Sequence, residues 1–163
     1  MRDLNSRLPG AQNFRYKEFV KSSVATRLGI DNTPPGWCWL NIEKLAKYVL
    51  QPIRDEFGPL RILSGFRSKK LNKKIGGSIL SNHCIGQAAD IEPWRDKIAL
   101  IDMAEFIIEN LDFRTLILEY MPDGWLHLDY REDYNLNRIK LKDKYHNYEN
   151  VTMEYVRNLY KEN

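Results

Sequence analysis

The chain has 163 residues, with 25 Lys and Arg against 22 Asp and Glu, a formal charge of +3. At 43% hydrophobic and 29% charged it has the composition of a folded domain, not of a disordered chain, and no apolar run approaches the ~20 residues of a membrane helix. Two cysteines, Cys38 and Cys84, make no disulfide scaffold, and so mild a positive charge gives no argument for nucleic acid.

The opening residues, MRDLNSRLPGAQNF, lack the apolar core of a signal peptide. A short helix is predicted over 16–28, closed by Gly29, and the prolines and glycine of 31–36 then enforce a loop. Asn41 is the expected N-cap of a helix running to Phe57, with Ile42, Leu45, Ala46, Val49, Ile53 and Phe57 at helical spacing and Pro52 as a kink. Short strands are expected at 60–64 and 87–92, then an amphipathic helix over 95–111. Strands 115–119 and 125–130 flank Met121-Pro122-Asp123-Gly124, a hairpin turn signal. The last 30 residues are polar and tyrosine-rich, ending in a helix over 151–160. The whole, 1–163, reads as one α+β domain with a small antiparallel sheet flanked by helices.

Side chains alternate between the faces of a strand. Leu126 and Leu128 therefore face a core, while Trp125, His127 and Asp129 share the other face. The same parity groups Ala88 with Asp90 and Glu92, and Thr115 with Ile117 and Glu119. A mononuclear catalytic zinc takes three ligands from His, Asp and Glu and keeps one position for water. His83, Asp90 and His127 meet that inventory, with Gly86 allowing a tight turn between the first two and Glu119 left over as a general base. The spacing matches no well-known zinc signature such as H-E-x-x-H, so an ordinary surface or core role for either histidine stands beside this reading.

A wider set of residues sharpens it. Ser64-Gly65-Phe66-Arg67-Ser68, Leu71-Asn72, Gly76-Gly77-Ser78, Ser81-x-His83-x-x-Gly86-x-Ala88-x-Asp90, Glu119 and Trp125-x-His127 follow one another with ordinary gaps. In that order they resemble the zinc D-Ala-D-Ala carboxypeptidases. That family includes the vancomycin-resistance dipeptidases and phage L-alanyl-D-glutamate endolysins, and the signalling domain of hedgehog is a more distant structural relative. The likeness covers roughly residues 14–140. It implies a hedgehog-like fold, a single zinc peptidase domain, His83, Asp90 and His127 as Zn2+ ligands and Glu119 as the group that activates water. It also implies that Arg67 lies beside the substrate to polarise the scissile carbonyl or hold a carboxylate, and that Ser81 supplies a substrate-binding hydroxyl. Trp125, on the metal face by strand parity, is expected to line the groove.

Two departures stand out. Many members carry D/E-x-x-H before the last ligand, and here that position is Gly124, with Asp123 one further back and Glu119 eight residues before His127. Glu119 is preferred to Asp123 as the base because its strand end points it to the histidine face. Asp129 stands where serine is common, as an outer partner of a ligand imidazole or a surface carboxylate.

Cys84 beside His83 faces away from it in an extended stretch, so neither a fourth ligand nor a nucleophile is expected there. Trp37 and Trp39 read as core edge, His146 as exposed, Glu92 as structural, and the basic residues of 67–74 as a solvated helix end. The expectation is a monomeric zinc metallopeptidase that hydrolyses D-amino-acid-containing bonds of the peptidoglycan stem peptide, with neither nucleic acid nor membrane as partner. With no signal peptide it would be made in the cytoplasm and act on the wall as a phage-encoded or virion-associated enzyme. The rival is a non-catalytic zinc-stabilised binding module.

Overall fold

The structure, a computed structural model, describes residues 2–94 and 97–160. A two-stranded ribbon, β1 (Arg7–Leu8) and β2 (Ala11–Arg15), opens the chain. Two short helices follow where one was predicted. α1 (Tyr16–Val20) ends at Lys21, and Ser22 caps α2 (Ser23–Leu28) by accepting from the Ala25 N–H. The serine breaks the run because its hydroxyl satisfies an otherwise orphaned donor of the second helix.

The next helix begins earlier than expected, at Cys38, so Asn41 is not its cap. It sits inside the first turn, and its Nδ2 donates to the Ile85 carbonyl. α3 (Cys38–Leu45) continues through one π-helical turn (Ala46–Leu50) into α4 (Gln51–Phe57). Pro52 lies just past that wider turn, where its missing N–H breaks no regular ladder. Trp39 packs in the core, but Trp37 is exposed.

The main sheet has the strands β3 (Leu60–Ser64), β4 (Ala88–Pro93), β5 (Thr115–Glu119), β6 (Trp125–Asp129), β7 (Arg138–Lys142) and β8 (Tyr148–Asn150). Their order is β3-β4-β6-β5-β7-β8. It is larger than predicted and not wholly antiparallel, because β7 pairs with β5 in parallel. β1 and β8 are too short, and β2 and β7 too polar, to read as strands by periodicity.

Between β3 and β4 come α5 (Lys69–Lys74) and a 3-10 turn at Asn82–Ile85. α6 (Leu100–Asn110) is shorter than the predicted 95–111. Residues 95 and 96 lie outside the described part, and 97–99 are not helical. α7 (Met153–Tyr160) closes the described chain. Among the described residues no helix is long and apolar enough to cross a membrane.

One face of the sheet is covered and the other open. Ala89, Ile91, Leu116, Leu118, Leu126, Leu128 and Leu141 are buried with Ile42, Leu45, Val49, Ile53, Met103, Ile107, Met153 and Val156 from the helices. Each such side chain removed from water contributes about 2 kcal/mol. Strand alternation then sends every other residue of β4, β6, β5 and β7 to the open face, where the polar chemistry collects.

Candidate metal centre

His83, Asp90 and His127 converge on the open face. Asp90 and His127 are direct cross-strand partners on β4 and β6, and His83 enters from the 3-10 turn. His127 Nδ1 lies 2.8 Å from Asp90 Oδ1 and 3.2 Å from His83 Nε2, and that Nε2 lies 3.3 Å from the same Oδ1. Three donors bound at 2.0–2.2 Å around a tetrahedral ion stand about 3.3 Å apart, so this triangle has the dimensions of a zinc face. Cys84 is half-buried and does not join the donor set.

The first imidazole is fixed from behind. His83 Nδ1 donates to the Gly65 carbonyl at 2.7 Å, which leaves the Nε2 lone pair facing the other two donors. Gly65 makes this possible by passing against α1. A Cβ there would stand 2.5 Å from the Phe19 carbonyl oxygen.

Burial lowers the pKa of His83, so it stays neutral at neutral pH. Burial also opposes charge on His127, but the neighbouring carboxylates of Asp129 and Asp90 win and raise it to about 9. Against burial, the two imidazoles hold the Asp90 carboxyl well below the usual carboxylate range. One proton thus sits between Asp90 and His127, where a cation can replace it.

Asp90 has a second partner. Arg67 Nη2 binds its Oδ2 at 2.5 Å, and Arg67 Nε donates to Ser64 Oγ at 2.7 Å. Arg67 lines the groove as expected of a substrate-side residue, and its guanidinium also holds a candidate ligand. Asp129 is buried, with Oδ2 3.7 Å from His127 Nε2 and Oδ1 3.9 Å from Arg114 Nε, so it backs the second imidazole. Glu92 pairs with Arg61, away from the centre.

Glu119 is buried at the end of β5, one step along the sheet from the His127 row, and its Oε2 accepts from Lys142 Nζ at 2.7 Å. It lines the same groove as the triad. Asp123 is exposed at the turn and does not. No side chain fits at the position of the missing acid, because a Cβ on Gly124 would stand 1.7 Å from the Glu119 carbonyl oxygen.

The groove has a volume of about 580 Å³. Trp125 and Ser81 both line it, Ser81 at the start of the 3-10 turn. Lys142 and Tyr148 were not singled out by the sequence. Their strands read as a polar tail, and the alternating pattern Arg138, Lys140, Lys142 was the one available signal. His146 is exposed as expected, with its Nδ1 2.6 Å from Tyr120 Oη.

A family model described as peptidase M15 matches residues 12–129. No curated protein matches the sequence. The family match ends with β6, so β7, β8 and α7 lie beyond it.

Proposed function

Since the chain belongs to the peptidase M15 family, the zinc D-Ala-D-Ala carboxypeptidase-like group, we propose that it is a zinc-dependent peptidase cleaving D-amino-acid-containing bonds of bacterial peptidoglycan peptides, on a hedgehog-like fold. The observation that carries this reading is the donor triangle of His83 Nε2, Asp90 Oδ1 and His127 Nδ1 with sides of 2.8 to 3.3 Å. The donor set, two imidazoles and one carboxylate, suits Zn2+ with a position left for substrate or water. Bound there, zinc supplies a Lewis acid and lowers the pKa of a coordinated water to about 7.

The protein's own groups do the rest. Glu119, held through Oε2 by Lys142, has its other oxygen free to take a proton from the attacking water and pass it to the departing amine. Arg67 holds and orients Asp90, and its position on the groove lining sets a positive charge beside the developing oxyanion. Trp125 and Ser81 form groove walls against which an extended peptide is positioned.

The test is metal analysis joined to product analysis. Purified protein is expected to hold about one zinc per chain and to convert muropeptides of known composition into products of lower mass. His83→Ala and His127→Ala should lose both metal and turnover. Protein that binds zinc but cleaves no muropeptide would turn the assignment to a zinc-stabilised binding module.

A further inference from the structure

The charges facing the groove balance one another, with two left over. Asp90 pairs with Arg67, Glu119 with Lys142, and Asp129 stands 3.9 Å from Arg114. Arg138 and Lys140 also line the groove, and among the described residues neither has a carboxylate within 4.0 Å. They lie on β7, beyond the residues that the family model matches. Their direction is set by the sheet, since Leu141 faces the core and its alternate neighbours must face the groove.

Register fixes their distance from the metal centre. His127 pairs with Ile117, and Ile117 pairs with Lys140, so Lys140 sits in the His127 row two strands away. Two strand spacings are about 10 Å, and an extended peptide covers that in roughly three residues. Arg138 is in the Asp129 row of the same strand, across from Thr115. On the far side of β7, β8 sets Asn150 against Lys140 and Tyr148 against Lys142, so no acid closes off the pair.

We infer that Arg138 and Lys140 form an anion subsite that takes a carboxylate of the peptide substrate, carried about two to three residues from the cleaved bond. The inference rests on the peptidase reading and deepens it. A carboxylate adjoining the bond would fall short of β7, whereas one farther along an extended chain reaches both cations. Arg138 presents a planar fork to such a group, and Lys140 adds a point charge beside it.

Three synthetic peptides test this: the stem pentapeptide L-Ala-γ-D-Glu-L-Lys-D-Ala-D-Ala, its D-Glu α-amide and its C-terminal amide. Weighing the products identifies the bond cut. The zinc-loaded wild type is expected to lose roughly tenfold in kcat/KM when the carboxylate farther from that bond becomes an amide. The double variant Arg138→Gln/Lys140→Gln should lose the same factor on the parent and be nearly indifferent to that amide, while Lys140→Arg keeps the preference. Equal cleavage of parent and amide by the wild type overturns the subsite, as does an equal loss on all three peptides in the double variant. If the wild type cleaves none of them, the peptidase reading fails, and calorimetric binding to the metal-free protein decides the subsite by itself. Tighter binding of the parent than of an amide, equalised in the double variant, upholds it. Equal or absent binding overturns it.

Discussion

At the level of single residues, the proposed site separates the groups that could hold a metal from the group proposed to move a proton. Replacing Glu119 by Gln leaves the donor triangle untouched, so zinc content should stay near one per chain while turnover falls by about 10²- to 10⁴-fold, a split read by metal analysis beside muropeptide assays. Acidity gives a second expectation, for the metal-free protein. His127 rises to about 9 in the folded state, so its contribution to stability is fully present below its unfolded value of 6.5 and is lost as pH climbs through 9. Asp90 is depressed, so its contribution is present above 3.8 and lost as pH falls further. His83 is depressed by burial, so stability is also lost as pH drops below 6.5. Urea midpoints of chelated protein should therefore peak near pH 6.5 and decline on both sides. Zinc must displace the His127 proton, so its affinity should strengthen as pH rises toward 9.

Among the elements, the β5–β6 hairpin is the piece that joins Glu119 to His127. Its turn tolerates only glycine at 124, and Gly124→Ala should cost at least ~2 kcal/mol in urea unfolding by driving a methyl into the Glu119 carbonyl. It should also lower turnover more than that instability explains, because the displaced carbonyl belongs to the proposed base. This hairpin was legible from sequence: Leu116, Leu118, Leu126 and Leu128 alternate cleanly around an Asp-Gly turn, and parity alone put His127 and Glu119 on the open face. The alternation of Ala89 and Ile91 likewise placed Asp90. Other elements were hidden for physical reasons. β7 alternates Leu141 with lysines, a pattern too polar to separate from a loop, and its parallel pairing with β5 depends on contacts far along the chain. The pairing of Arg67 with Asp90 was not legible because a guanidinium's partner is set by three-dimensional proximity, and Asp90 lies 23 residues away.

Across the whole molecule, the segment past Asp129 is not an appendage. Leu141, Met153 and Val156 are buried in the same core as Leu116 and Ile107, and Arg157 ties α7 to Glu105 and Glu109 of α6. Truncation after residue 130 should therefore remove cooperative unfolding, seen as a broad or absent thermal transition, although the family match stops there. Removing metal acts at the same scale and more gently. Zinc at a thousandfold excess over its dissociation constant stabilises by about 4 kcal/mol, so chelation should lower the melting temperature without abolishing the transition. The strand order carries a last consequence. Asp90 and His127 ride on β4 and β6, each flanked by a neighbour on both sides, while β3 and β8 take the outer positions. Fraying at either border leaves them unmoved, so the backbone around them should exchange into heavy water only when the entire sheet opens.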